Sequence, residues 1–194
     1  MRQVFASGAA LIVLAGVAYA AAPNIPADGP MTVPADYREW VFLTSSLDLN
    51  YDKPVPDAGE QQVSMLDNVY VNPDSYRAFV ATGTWPDKTV LVKDNRVAES
   101  AGELSKDGKF QTRIASMELH VKDARLPGGW GFFFTRGPDV PARPVKQTAD
   151  CYTCHGAHAA VDTTFVQFYP TLLEIAQAKG TLSAKYLAEK KAAK

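Results

Sequence analysis

The sequence predicts an α+β fold, mainly an antiparallel β-sheet with short peripheral helices, and three observations carry that expectation. Residues 62–71, 89–93, 110–122 and 130–135 are rich in β-branched and aromatic side chains, the composition of strands. Clusters of Gly, Pro, Asp and Asn separate them, and the short connections without long helices disfavour a parallel βαβ arrangement. Ala115, Met117, Leu119 and Val121 alternate with Ser116, Glu118, His120 and Lys122, the period of a strand with one buried face.

The helices are marked by their ends. Asn72-Pro73-Asp74 offers an N-cap, a proline at the first helical position and an early acid, and Gly83 offers a stop, so the pattern predicts a helix over 73–82 with Tyr76, Phe79 and Val80 on one face. A second helix is expected over 170–179, ending at Gly180, and a helical stretch is expected around Cys151 and Cys154. Residues 136–147 read as a loop punctuated by Pro138, Pro141 and Pro144. The lysine-rich segment 183–194 reads as a solvated helix or frayed tail with no assigned role.

The start of the chain has the layout of a secretory signal: Arg2, an apolar stretch from Ala9 to Val17, then Ala18-Tyr19-Ala20 as a small-residue cleavage site. Export to the periplasm or beyond is the expectation, with cleavage near Ala20. The stretch is shorter than the roughly 18–20 apolar residues that cross a bilayer, which disfavours a retained anchor. Residues 21–34, with four prolines, read as an extended leader; 35–180 read as one domain and 181–194 as a basic tail. Twenty basic residues against 21 acidic give a formal charge of −1, so no basic surface points to nucleic acid or anionic membrane.

Cys151-Tyr152-Thr153-Cys154-His155 carries the chemistry. Two thiols one helical turn apart meet the two vinyl groups on one edge of a haem, and the histidine that follows lies beneath the iron. The expectation is one covalently attached haem c, with Cys151 and Cys154 as its thioether anchors and His155 as the iron ligand. A redox Cys-x-x-Cys pair or half of a zinc site is the alternative, but only His120 and His158 remain as further imidazole ligands.

The sixth iron position decides between electron transfer and ligand binding. His158 follows His155 by one turn and belongs to the same side of the haem. His120 sits on the polar alternation of a strand, and Met65 and Met117 read as core. An open or weakly occupied position is favoured slightly.

Beyond this motif the chain resembles the cytochrome P-460 superfamily, which includes the cytochrome c′-beta proteins. Tyr37-Arg38-Glu39-Trp40 resembles the family's opening helix, and Val69-Tyr70-Val71-Asn72-Pro73-Asp74-Ser75-Tyr76 its strand-to-helix passage. Thr82-Gly83-Thr84-Trp85-Pro86-Asp87-Lys88-Thr89-Val90, Val121-Lys122-Asp123-Ala124, Trp130-Gly131-Phe132-Phe133 and Asp162-Thr163-Thr164-Phe165-Val166-Gln167-Phe168-Tyr169-Pro170 follow in the expected places. The resemblance implies a mostly antiparallel β fold, a homodimer, a motif histidine as proximal ligand and an open distal site.

The resemblance also implies two kinds of distal pocket. One type cross-links a lysine to the haem and oxidises hydroxylamine; the other has an aromatic cap and binds gases such as nitric oxide. The lysine is expected in the helix before Thr82-Gly83, where this chain has Val80 and Ala81, while Lys88 and Lys93 read as ordinary turn and strand residues. Phe79 is then the candidate cap, Phe132 and Phe134 are candidate walls, and Arg136 is a candidate for the distal side or a haem propionate. The resulting expectation is an exported monohaem cytochrome that binds nitric oxide or passes electrons to a partner protein. A hydroxylamine- or nitric-oxide-oxidising enzyme is the rival and needs a cross-link or a polar proton-handling group where aromatic residues are expected. A six-coordinate electron carrier is the third possibility.

Overall fold

The computed structural model describes residues 25–26, 29–49 and 63–193, so the expected signal segment lies outside the described residues. Six strands form one sheet in chain order, each antiparallel to the one before: β1 (Val41–Leu47), β2 (Met65–Val71), β3 (Val90–Ser100), β4 (Lys109–Lys122), β5 (Trp130–Thr135) and β6 (Arg143–Pro144). The sequence expectations contain neither β1 nor the two-residue β6, and they end β3 at Lys93. Beyond that point Asp94, Asn95 and Arg96 look like loop composition, yet the fold partners them. Asp94 Oδ2 accepts from Tyr37 Oη at 2.9 Å and Arg96 Nε at 2.9 Å, and Asn95 Nδ2 donates to Ser116 Oγ at 2.9 Å.

One face of the sheet buries Val90, Val92, Met117, Leu119, Val121 and Phe133 against Tyr37, Trp40, Ile25, Met31 and Val33. The proline-rich segment is therefore more than a leader, because three of its apolar residues close this core. Met31 and Ala142 exchange backbone hydrogen bonds of 2.9 and 2.8 Å, which fixes the segment beside the loop before β6. Burying such a side chain is worth about 1.5–3 kcal/mol, enough to hold the described part of this strip against the sheet.

The opposite face divides along the strands. At one end Val69, Val71, Leu91 and Trp130 pack under α1 (Pro73–Thr82) and α3 (Pro170–Lys179), together with Phe79, Trp85, Val166 and Leu172. Helix α1 starts at Pro73, but Asn72 does not cap it; its Oδ1 accepts from Val90 N at 2.9 Å, tying the helix entry to β3. Gly83 ends α1 with φ 78°, and its carbonyl accepts from Thr181 Oγ1 at 2.7 Å, which docks α1 on the end of α3. At the other end of this face the in-register residues are polar, and α2 (Asp150–His158) approaches them.

Helix α4 (Ala184–Ala192) gives the lysine-rich segment a place on α2. Ser183 Oγ accepts from Tyr186 N and donates to Ala159 O at 2.7 Å, and Lys185 Nζ donates to Gly156 O at 2.7 Å. His158 on α2 is hydrogen-bonded to Glu189 on α4.

Candidate haem site

Tyr152 ties helix α2 to β5 by hydrogen bonds and ring packing. Tyr152 Oη accepts from Phe132 N at 3.2 Å and donates to Val145 O at 3.4 Å, and its ring packs edge-on against Phe132. Cys151 and Cys154, one turn apart, are not joined to each other. His155, next in the helix, points toward the sheet. Its ring meets Phe165 at 4.1 Å, Phe132 at 4.6 Å and His120 at 5.1 Å between centroids.

The orientation of His155 is set by one bond. Nδ1–H donates to the Thr163 carbonyl at 2.7 Å, which leaves Nε2 as the unprotonated nitrogen of a neutral imidazole. Burial pulls the pKa of His155 below its ordinary value, against the Thr163 hydrogen bond and the charge of Glu118, and so favours the neutral form that ligates a metal. A backbone carbonyl on the far nitrogen is the usual support of a metal-bound histidine, because it fixes the ring and raises its basicity.

Beside His155 lies a polar patch that the sequence reading did not assign to the site. Lys93 on β3 stands opposite Glu118 on β4, with Phe134 next to Glu118 on β5. Lys93 Nζ is 3.5 Å from both Glu118 Oε1 and Asp67 Oδ2, and Asn95 Nδ2 donates to Glu118 Oε1 at 3.0 Å. Burial raises the pKa of Asp67, partly offset by Lys93. Lys93 and Glu118 both act electrostatically on His155, so patch and histidine share one environment. A signal for this exists in the sequence: with β3 and β4 placed in register, the polar alternants of both strands fall on one face.

The other sequence candidates are distributed as follows. Phe132 contacts His155 directly, and Phe134 is exposed on the same sheet face. Phe79 is fully buried against Trp85, at 4.3 Å between rings, within the helix-covered end of the core. Arg136 is exposed. Met117 is buried on the opposite face, Met65 begins β2, and His158 is engaged by Glu189. Val80 and Ala81, where the resemblance places the cross-linking lysine, are both exposed on α1. Lys93, read from sequence as an ordinary strand residue, lies in the polar patch beside His155.

The donor set suits a haem: two thiols at thioether spacing, then an imidazole whose distal nitrogen is left available by a fixed carbonyl. It does not suit zinc, since among the described residues no three His, Cys, Asp or Glu side chains are grouped as a metal site requires. The family model described as Cytochrome P460 matches residues 34–166, more than half of the chain. The chain belongs to the cytochrome P460 family. No curated protein matches it. As a cytochrome P460 it is a haem protein, and the antiparallel sheet with short helices is the architecture the resemblance implied. The matched region starts at Pro34, at the edge of the strip that closes the first core, and ends at Val166, just after the turn that holds Thr163.

Proposed function

We propose that this cytochrome P460 is an exported monohaem c-type cytochrome whose iron keeps an open side for a small neutral ligand such as nitric oxide and exchanges electrons with a partner protein. Cys151 and Cys154 anchor the haem, and His155 Nε2 ligates the iron. The observation that carries this reading is the Nδ1–H bond from His155 to Thr163 O, which prepares the opposite nitrogen as a ligand beside the two thiols. When bound, the haem supplies a redox-active iron able to take a diatomic ligand. The chain's own contribution is to hold the imidazole neutral and oriented, to cover its side with Phe132 and Phe165, and to set Lys93 and Glu118 nearby. Two copies form the homodimer that the resemblance implies.

The test is full-length protein matured with haem and extracted with acid acetone. Haem should stay with the polypeptide, and the reduced protein should give a five-coordinate spectrum that changes on adding nitric oxide. Haem that extracts freely overturns the reading.

A second reading, oxidation of hydroxylamine, gains from one observation. The patch beside His155 supplies the polar groups that reading needs: Lys93 as the amine and Glu118 as the proton-handling group. Mass spectrometry of the haem peptide separates the two. A third covalent link, to Lys93, with hydroxylamine-dependent reduction of an acceptor makes the protein the enzyme; two thioether links alone retain the ligand-binding cytochrome.

A further inference from the structure

We infer that His120, acting through the hydroxyl of Thr163, is a positioning residue for the axial ligand and tunes the reduction potential of the iron. The inference rests on the haem reading above and adds a role for a side chain that reading leaves unused.

Thr163 has two jobs in the structure. Its carbonyl accepts from His155 Nδ1 at 2.7 Å, and its Oγ1 is hydrogen-bonded to His120 Nε2 at 3.0 Å. One residue therefore joins the two histidines, with the backbone oxygen on one and the side-chain oxygen on the other. His120 is held rigidly for this. Its ring stacks on Phe132 at 4.0 Å and 13°, lies 4.4 Å from Trp130, and meets His155 edge-on. Desolvation, and then the proximity of His155, hold its pKa well below the ordinary value, so it acts as a neutral hydrogen-bonding group.

The turn that presents Thr163 is fixed from other sides too. Thr164 N donates to Val161 O at 2.8 Å, and Asp162 takes a positive φ of 52°. Trp85 Nε1 donates to Thr164 Oγ1 at 2.8 Å, and Lys122 Nζ reaches Asp162 Oδ2 at 2.9 Å. Of these contacts only the one from His120 acts on Thr163 itself, whose carbonyl meets His155. His120 Nε2 is already engaged by Thr163 Oγ1, on the residue whose carbonyl accepts Nδ1–H of His155. That bond gives His120 a supporting role behind Thr163 rather than that of a ligand.

The physical consequence is a bias on the iron. A well-aimed Nδ1–H···O bond makes the imidazole a stronger donor and favours the oxidised metal. Loosening the Thr163 carbonyl weakens that donation, so the reduction potential rises and the iron–histidine stretching frequency of the reduced protein falls.

The experiment uses the full-length, haem-loaded protein and four variants: Thr163→Val, which keeps the carbonyl and the side-chain shape; His120→Phe, which keeps a stacking ring; His120→Gln, which keeps a hydrogen-bonding amide; and the double variant T163V/H120F. Haem content, midpoint potential by spectroelectrochemical titration and the stretching frequency by resonance Raman are measured on each. Native haem content with a raised potential and lowered frequency in Thr163→Val and His120→Phe is expected. His120→Gln should recover part of both shifts, and the double variant should move no further than the larger single one. Native potential and frequency in either Thr163→Val or His120→Phe overturns the inference, as does a double variant whose shifts add in full. If His120→Phe does not fold, Thr163→Val decides alone. A parent protein without attached haem refutes the haem reading instead, and is distinguished at the first measurement.

Discussion

Lys93 faces Glu118 across the β3–β4 ladder with Nζ 3.5 Å from Oε1, and both charges act on the histidine assigned to the iron. They bias a nearby redox centre in opposite directions. Lys93→Met removes a positive charge that favours the added electron, so the midpoint potential should fall; Glu118→Gln should raise it. Both side chains are a third or more exposed, so the shifts should shrink at high salt. Redox titration at two ionic strengths checks the signs and the screening.

His155 and His158 should separate cleanly. His155→Ala leaves the thioethers possible but removes the axial donor, so the reduced absorption spectrum should change while haem stays attached. His158→Ala removes only a surface contact with Glu189 between α2 and α4, which is worth under about 1 kcal/mol, and should leave the spectrum native.

Phe79, the cap expected from the resemblance, lies in the core against Trp85. Phe79→Ala should cost about 3–5 kcal/mol in denaturant unfolding through the cavity it leaves. Nitric-oxide association should stay near the native rate. A large acceleration with little loss of stability would place Phe79 over the iron after all.

Gly83 combines a positive φ of 78° with close quarters, since a Cβ there would stand 2.7 Å from Lys179 Cβ and 2.8 Å from Thr181 Oγ1. Left-handed backbone alone costs a non-glycine residue about 1–2 kcal/mol. Gly83→Ala should therefore destabilise by at least that amount in thermal or denaturant melts, and should loosen α1 from α3.

Acid should act partly through Asp123. The Arg125 guanidinium, helped by Lys88, holds its carboxyl well below the usual carboxylate range. A depressed folded pKa contributes stability that is complete above the unfolded value and is lost as pH falls through the carboxylate range and below. Asp123→Asn should be less stable than the parent at pH 7, and the gap should narrow toward pH 3, as measured by denaturant midpoints.

Much of this was legible in the sequence because local signals were strong. Pro73 and Gly83 marked α1, Gly180 ended α3, and the Met117, Leu119, Val121 alternation placed β4. The polar half of β3 was not legible, since Asp94 and Asn95 are loop-like until Tyr37, Arg96 and Ser116 are brought to them by the fold. The same holds at the site. Cys151, Cys154 and His155 are adjacent in sequence and announce themselves, whereas Lys93, Glu118, His120 and Thr163 meet only through strand register and a turn some forty residues further on. The resemblance places its lysine by linear order on α1 near Val80 and Ala81, a part of the helix that the structure turns outward.

The docking of α4 on α2 bears on the timing of biogenesis. Residues 183–189 hold the carbonyls of Gly156 and Ala159 and the side chain of His158, yet they follow the attachment motif in the chain. A polypeptide delivered N-terminus first thus presents both thiols before their helix has its cover. On the proposed reading, Cys151 and Cys154 would take their haem on a helix that still lacks those contacts, and docking of the lysine-rich helix would follow.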